Sequence, residues 1–352
     1  MKESNGTETN LRWIKVSVSI IALAIIITVL KELKSIFIPL TIAILLAFAF
    51  APLLRFFRRK RATASVGIGI TVIIVFFTFT LGGILVYTGL ASFASQADKY
   101  ERQLGATINE LSDKFEMPIS SVKTYLKNNV NWMDVFNKVP ITRFISGTMG
   151  TFLNFLFKLL LTIVLMVFFM AGRERLGVRL VKVMTKEETV HSKNIFKNVE
   201  EQLISYLFGK SLISLGTALS GMFYLAILRI DFVIMSGLLL FILNFIPNFG
   251  SIIASAFPII ICFLQYGFGW QLFAVAGSMI FIQILWGTII EPRYFGKTMN
   301  LSPVVILSAL IFWAYIWGVV GMFLAVPLIS SISIIIREFP SMRFITALLS
   351  DD

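Results

Sequence analysis

Apolar residues run along this chain in long blocks, without the alternation of half-buried strands. Uncharged or nearly uncharged runs fall at about 13–30, 36–54, 64–91 and 146–171, each enough to cross a ~30 Å hydrocarbon core as one helix. The first run, Val16 to Leu30, follows Lys15 as a signal peptide's would. It ends in Lys31-Glu32-Leu33-Lys34 without a small-residue cleavage site, so a retained helix is expected.

The second half is almost continuously apolar, and its interruptions carry the information. A long run at 206–228 leads into a broken one at 232–264, cut at Ile246-Pro247-Asn248-Phe249-Gly250. As a single helix the broken run would measure roughly 50 Å, and its two pieces of about 15 residues are short for separate crossings, so a re-entrant hairpin is expected. The same order recurs. A long run at 270–291 passes through Glu291-Pro292-Arg293-Tyr294-Phe295-Gly296 into a second broken run, 303–336, interrupted near Gly318 and Gly321. Gly250 and Ala254 precede Pro258 as Gly321 and Ala325 precede Pro327. A unit of one crossing helix plus one hairpin crosses an odd number of times, so consecutive copies face opposite ways, as in the inverted repeats of secondary transporters.

The expected fold is therefore an all-α polytopic membrane protein. It has about six crossing helices, two broken or re-entrant hairpin segments in a C-terminal inverted repeat, and a small extracellular helical insertion. The divisions are residues 1–91 (three N-terminal helices), 92–145 (insertion), 146–205 (fourth helix and a cytoplasmic helical stretch), 206–264 and 265–337 (the two repeats), and 338–352 (a cytoplasmic tail).

Composition agrees: of 352 residues 57% are hydrophobic and 14% charged, with mean hydropathy +0.87, so the solvent for most of the chain is the lipid bilayer. The net charge of +12 would raise the question of nucleic acid in a soluble protein. Here the basic residues sit in short loops beside apolar runs without interleaved stacking aromatics, so no nucleic-acid partner is expected. Arg55, Arg58, Arg59, Lys60 and Arg61 form the densest cluster. The positive-inside rule makes that loop cytoplasmic, places both termini inside and puts 92–145 outside. Leu104, Ile108, Leu111 and Phe115 in the insertion recur at helical spacing, which predicts an amphipathic helix there.

One cysteine, Cys262, and one histidine, His191, exclude disulfide frameworks and Cys/His zinc sites. His191 lies in a charged helical stretch without an orienting partner and receives no role. Gly209-Lys210-Ser211 resembles the end of a phosphate loop, but Ile204 replaces the required glycine and no strand precedes it. No cofactor is expected, and no enzymatic activity.

The candidate chemistry lies at the breaks, because unwound backbone inside a membrane is tolerated only against protein or a water-filled cavity. Asn244, Pro247, Asn248, Gly250, Ser251, Gln283, Gly318 and Gly321 are the expected substrate-binding positions. Asn244, Asn248, Ser251, Ser255 and Gln283 supply neutral donors and acceptors for a small polar solute, or equally for interhelical bonds. Glu291 ends a long apolar run and is the candidate for coupling to a proton or monovalent cation, with an ion pair to Arg293 or Lys297 as its alternative role. Trp286, Trp313 and Trp317 would line a pathway or pack in a core. Small-residue pairs, Ala47 with Ala51 and Gly216 with Ser220, would permit a homo-oligomer of unreadable size or serve packing within the subunit.

Several of these residues carry a resemblance. Phe245-Ile246-Pro247-Asn248-Phe249-Gly250 with Pro258, Glu291-Pro292 with Gly296, Leu301 and Pro303, and Gly318-Val319-Val320-Gly321-Met322 with Ala325-Val326-Pro327 resemble the AI-2E family of bacterial transporters, the PerM group. Where that family commonly continues the first break with a second proline, this chain has Ser251. The resemblance implies a bacterial inner-membrane exporter of small solutes. Some members carry the furanone autoinducer-2, and others are similar to sodium or lithium/proton antiporters. Three functions follow as expectations: export of a small polar solute, cation/proton antiport through Glu291, or a non-transporting scaffold acting through the extracellular insertion.

Overall fold

A computed structural model describes residues 3–60, 63–96, 99–100, 102–103, 105–106, 148–183, 186–295 and 301–337. The amphipathic helix expected at Leu104, Ile108, Leu111 and Phe115, the link residues Gly296 and Lys297, and the tail at 338–352 lie outside the described residues. Among the described residues the chain is helical without strands. The helices are α1 (Glu3–Glu32), α2 (Lys34–Ala49), α3 (Ala51–Arg59), α4 (Ala64–Ser95), α5 (Thr148–Val183), α6 (Lys186–Ile227), α7 (Val233–Leu243), α8 (Phe249–Tyr266), α9 (Trp270–Gln283), a π-helical stretch (Ile284–Ile290) running into α10 (Glu291–Phe295), α11 (Pro303–Trp317) and α12 (Val319–Arg337).

Seven of the described helices are long and apolar enough to cross a membrane, and an eighth span arises if the bent pair α2 and α3 counts as one. The run expected at 36–54 is not straight, since the chain turns by 43° between α2 and α3. Helix α6 is continuous from the charged stretch before residue 206 to Ile227. Large apolar side chains such as Ile73, Phe77, Phe168, Phe223 and Phe273 are exposed, as a lipid-facing surface requires.

Three cores organise the helices. Ala43, Val75, Leu159 and Met166 join α2, α4 and α5. Leu225, Leu240, Ile261, Val275 and Met279 join α6 to α9. Trp313, Trp317, Leu324 and Ala325 bring α11 and α12 against Leu45 of α2 and Leu203 of α6. Trp313 and Trp317 are thus core residues. The Trp286 ring lies on Gly216, and its indole nitrogen donates to Ser220 Oγ at 3.0 Å. Ala51 is also buried. These small residues therefore pack within the chain.

Both broken runs are helical hairpins. Helix α7 leaves the C-terminal end of α6, and its 11 residues reach about 16 Å along the bundle. The tip is pinned to α6 where Asn244 Nδ2 donates to Ser214 Oγ at 3.0 Å. Helix α8 then returns to its starting level. Gln265 Oε1 accepts from the Asp231 amide at 2.9 Å, while Gln265 Nε2 and the Tyr266 hydroxyl donate to the Arg229 carbonyl at 3.0 and 3.1 Å. Both ends of this hairpin therefore sit at one end of α6.

The second hairpin, α11 and α12 joined at Gly318, enters from the opposite end. Ile306 and Val326 pack with Tyr206 and Phe295 near the middle of α6. Phe323 stacks on Phe245 at the first tip with centroids 4.7 Å apart, and Trp317 donates to the Leu30 carbonyl at 3.0 Å. The two hairpins pass one another head to tail, the inverted arrangement expected from the sequence.

Glycine is required at three positions of these turns. Gly318 has φ 65°, ψ −144°, a region closed to side chains. A Cβ at Gly250 would fall on the Leu243 carbonyl oxygen, and one at Gly321 on that of Trp313. Gly250 and Gly321 therefore do not unwind their helices, as the sequence reading expected. They lie inside α8 and α12 and let the second arm of each hairpin close on the first.

A polar clasp closes the neck of the first hairpin. Arg229 and Phe232 both hold positive φ there, 53° and 59°. Asp231 Oδ2 receives Lys99 Nζ at 2.8 Å and the Tyr100 hydroxyl at 2.9 Å, tying residues after α4 to the hairpin. Burial, then the hydrogen bond and charge of Asp231, push the Tyr100 phenol far above its usual range, so it stays a donor at any physiological pH.

Gly250→Ala and Gly321→Ala should each destabilise the detergent-solubilised protein by about 2 kcal/mol through overpacking. Gly277→Ala should not, since a Cβ there meets nothing within 4 Å. Thermal unfolding followed by intrinsic fluorescence reads the difference.

Candidate functional site

A cavity of about 630 Å³ lies between α8 and the helix running from α9 to Glu291, bounded by the α7/α8 tip and by Lys210 of α6. This is within the ~300–1,000 Å³ typical of small-molecule sites. Its polar groups form a strip beside the tip with a charged pair at one end, set among apolar residues such as Ile252, Ile259, Ile280 and Ile284.

The tip is built from tight backbone turns held to neighbouring helices by side chains. Asn244, buried, donates to Ser214 and accepts from Ser251 Oγ at 3.3 Å. Asn248 sits at φ 60°, ψ −59°, and the Phe249 amide donates back to the Pro247 carbonyl at 2.7 Å, a γ-turn of the rare, strained hand. Backbone strain of this kind in a non-glycine residue costs of order 1–3 kcal/mol and concentrates at functional sites. Asn248 itself is exposed to the cavity. Opposite the tip, Gln283 Nε2 donates to Ser255 Oγ at 3.0 Å and to the Ser251 carbonyl at 3.5 Å.

The π-helical stretch decides which residues face this space. In an α-helix, four-residue steps overshoot a full turn by about 40°, so positions 279 and 291 would diverge by about 120°. The looser π winding removes that drift. Met279, Gln283, Gly287 and Glu291 consequently form one file along the cavity, with Ile280, Ile284 and Thr288 beside it. Such π segments recur at functional sites.

At the inner end of the file Glu291 Oε1 accepts from Lys210 Nζ at 2.6 Å. The lysine side chain is 5% exposed and the glutamate 27%. The structure thus gives Glu291 a partner on α6, while Arg293 is exposed. The contact also holds α6 against α10, where the Tyr294 ring covers Gly209 and Tyr206 packs on Phe295.

Six of the expected positions, Asn244, Pro247, Asn248, Ser251, Gln283 and Glu291, therefore share one cavity. Gly318 and Gly321 do not line it, and Gly250 lies behind its wall. The physical reason is that these glycines serve turn geometry and close backbone approach, and the second hairpin's tip passes beyond the first toward α1. Lys210 and Thr288 are the lining residues that sequence reasoning missed. For Lys210 the available signal was a lone cation inside an otherwise apolar run, paired in charge with a carboxylate ending another. Among the described residues no cluster of metal-ligating side chains occurs.

Asn244→Ala should lower stability by about 1–3 kcal/mol, since it strips a buried partner from both Ser214 and Ser251. Asn248→Gly, which keeps the positive φ and relieves its strain, should leave stability equal or raised. Melting curves of the purified variants test both signs.

The family model for the AI-2E family transporter matches residues 20–341. A Haemophilus influenzae protein named "Putative transport protein" is 27% identical over 352 residues, covering 98% of each chain. The Escherichia coli "AI-2 transport protein TqsA" is 40% identical over 146 residues, 42% of each chain. The "Putative transport protein YhhT" of Escherichia coli is 26% identical over 311 residues, covering 88% of this chain and 86% of its own.

Proposed function

The chain belongs to the AI-2E family of transporters, and on that premise we propose that this multi-pass membrane transporter exports a small polar solute through the cavity beneath the first hairpin. The observation that carries the reading is the position of the polar strip. Asn248, Ser251 and Gln283 face a space that extends toward the inner end at Glu291, while the hairpin and its outer clasp close the other end. Solute would enter from the cytoplasm, meet the strip at mid-depth and leave when the two opposed hairpins shift. The head-to-tail hairpins and their stacked Phe245 and Phe323 supply the pivot.

The orientation follows the positive-inside rule, with Arg55 to Arg61 and both termini cytoplasmic. The name of the TqsA relative supports autoinducer-2-like furanones as first candidates for the solute. A second reading, sodium or lithium/proton antiport through Glu291, draws on that carboxylate's place in the cavity. Lys210 already neutralises it, which weakens the case for free protonation and cation binding there.

Proteoliposomes loaded with radiolabelled autoinducer-2 and small polyols, with and without a proton gradient, test the reading. Asn248→Ala and Gln283→Ala should each slow efflux of the carried solute by about tenfold, as loss of a solute-contacting hydrogen bond does. Wild-type efflux in both would remove the strip as the binding site. Sodium- or lithium-dependent proton exchange abolished by Glu291→Gln would favour the second reading.

A single cysteine at position 60 in a Cys262→Ser background should react with an impermeant maleimide only from the cytoplasmic side. Labelling from outside would reverse the topology.

A further inference from the structure

Lys210 is the only buried lysine or arginine among the described residues. Its ammonium has three donors, and among the described residues only Glu291 Oε1 accepts from it. The two partners are unequally held. Lys210 projects from the middle of a long helix with its side chain enclosed, whereas Glu291 ends the π-helical stretch at the cavity's inner end with over a quarter of its side chain exposed. The cation is fixed and the carboxylate can leave. A buried ammonium left alone is strongly disfavoured, so departure of Glu291 with the lysine still charged requires another anion in its place.

We propose that Lys210 is an anion subsite of the transport cavity, which takes the carboxylate of a solute bearing a small apolar body, and that Glu291 is the internal counterion this carboxylate displaces. The proposal rests on the reading of the cavity as the transport site and names its solute class. Exchange of one carboxylate for another keeps the lysine paired throughout, so entry of the solute exposes no bare charge. The apolar body then lies against Ile252, Ile259, Ile280 and Ile284. The π-helical winding is what brings Glu291 into register with Lys210, and it places Gln283 and Thr288 on the same face to receive the rest of the solute.

Equilibrium dialysis of the purified full chain in detergent tests this, with radiolabelled benzoate, its neutral isostere benzamide, and inorganic phosphate as probes. Benzoate should bind about tenfold or more tightly than benzamide, and Glu291→Gln should tighten benzoate binding by about tenfold, because the internal competitor is gone. The double variant Lys210→Met with Glu291→Gln is a neutral pair of similar shape that leaves no charge unpaired. It should keep the wild-type melting temperature to within a few degrees and lose the preference for benzoate. Equal binding of benzoate and benzamide by the wild type would overturn the proposal. So would a Glu291→Gln variant that loses benzoate as the double variant does, since that marks the pair as purely structural. Phosphate bound as well as benzoate would overturn the assignment to a carboxylate with an apolar body. Because the assay measures binding alone, benzoate binding with no efflux of any solute from proteoliposomes would sink the transport reading and leave the anion subsite standing. Efflux with no benzoate preference would do the reverse.

Discussion

Inside hydrocarbon a peptide group without a hydrogen-bond partner costs several kcal/mol, and the first hairpin ends its descent in the middle of the bundle under that constraint. The structure meets it with tight backbone turns. The Phe245 and Ile246 amides donate to the Ile242 and Leu243 carbonyls, the Phe249 amide to Pro247 and the Gly250 amide to Ile246, so the tip pairs its own backbone. The Asn244 side chain reaches Ser214 of α6 and receives Ser251 of α8, which holds the tip against its neighbours. The cavity lies beside this tip and α8, facing the helix that runs from α9 to Glu291.

The second hairpin obeys the same constraint with different chemistry. Its turn is a single glycine, and its arms close through Gly321 on the Trp313 carbonyl, so it needs no polar side chain at its tip and offers none. The two hairpins are alike in topology and unlike in function. One carries the polar strip. The other fills the bundle with Trp313, Trp317 and Leu324 and meets its counterpart through Phe323 on Phe245.

Charge is placed sparingly. The clasp joins Lys99 and Tyr100 to Asp231 at the hairpin neck, and a second pair joins Lys210 to Glu291 at one end of the cavity. Either charged contact joins elements distant in sequence, α6 to α10 in one case and the residues after α4 to the hairpin neck in the other. Both therefore resist relative movement of the parts they connect.

The sequence by itself determined the fold class, the approximate spans and the inverted hairpins, because hydropathy over about 20 residues and the chain's need to satisfy its own backbone in lipid are local properties. It also placed Asn244, Asn248, Ser251, Gln283 and Glu291 as candidates, since polar residues beside a break stand out against an apolar background. Only the tertiary structure decided which break faces the cavity, that Gly318 and Gly321 belong to a turn away from it, and that Glu291 faces Lys210 across 81 positions of chain. That pairing depends on the rotation of one helix about its axis, set by the π-helical winding at Ile284–Ile290 and by Trp286 seated on Gly216. Rotational register is fixed by packing between helices, and a residue-by-residue reading of one strand of sequence does not contain it.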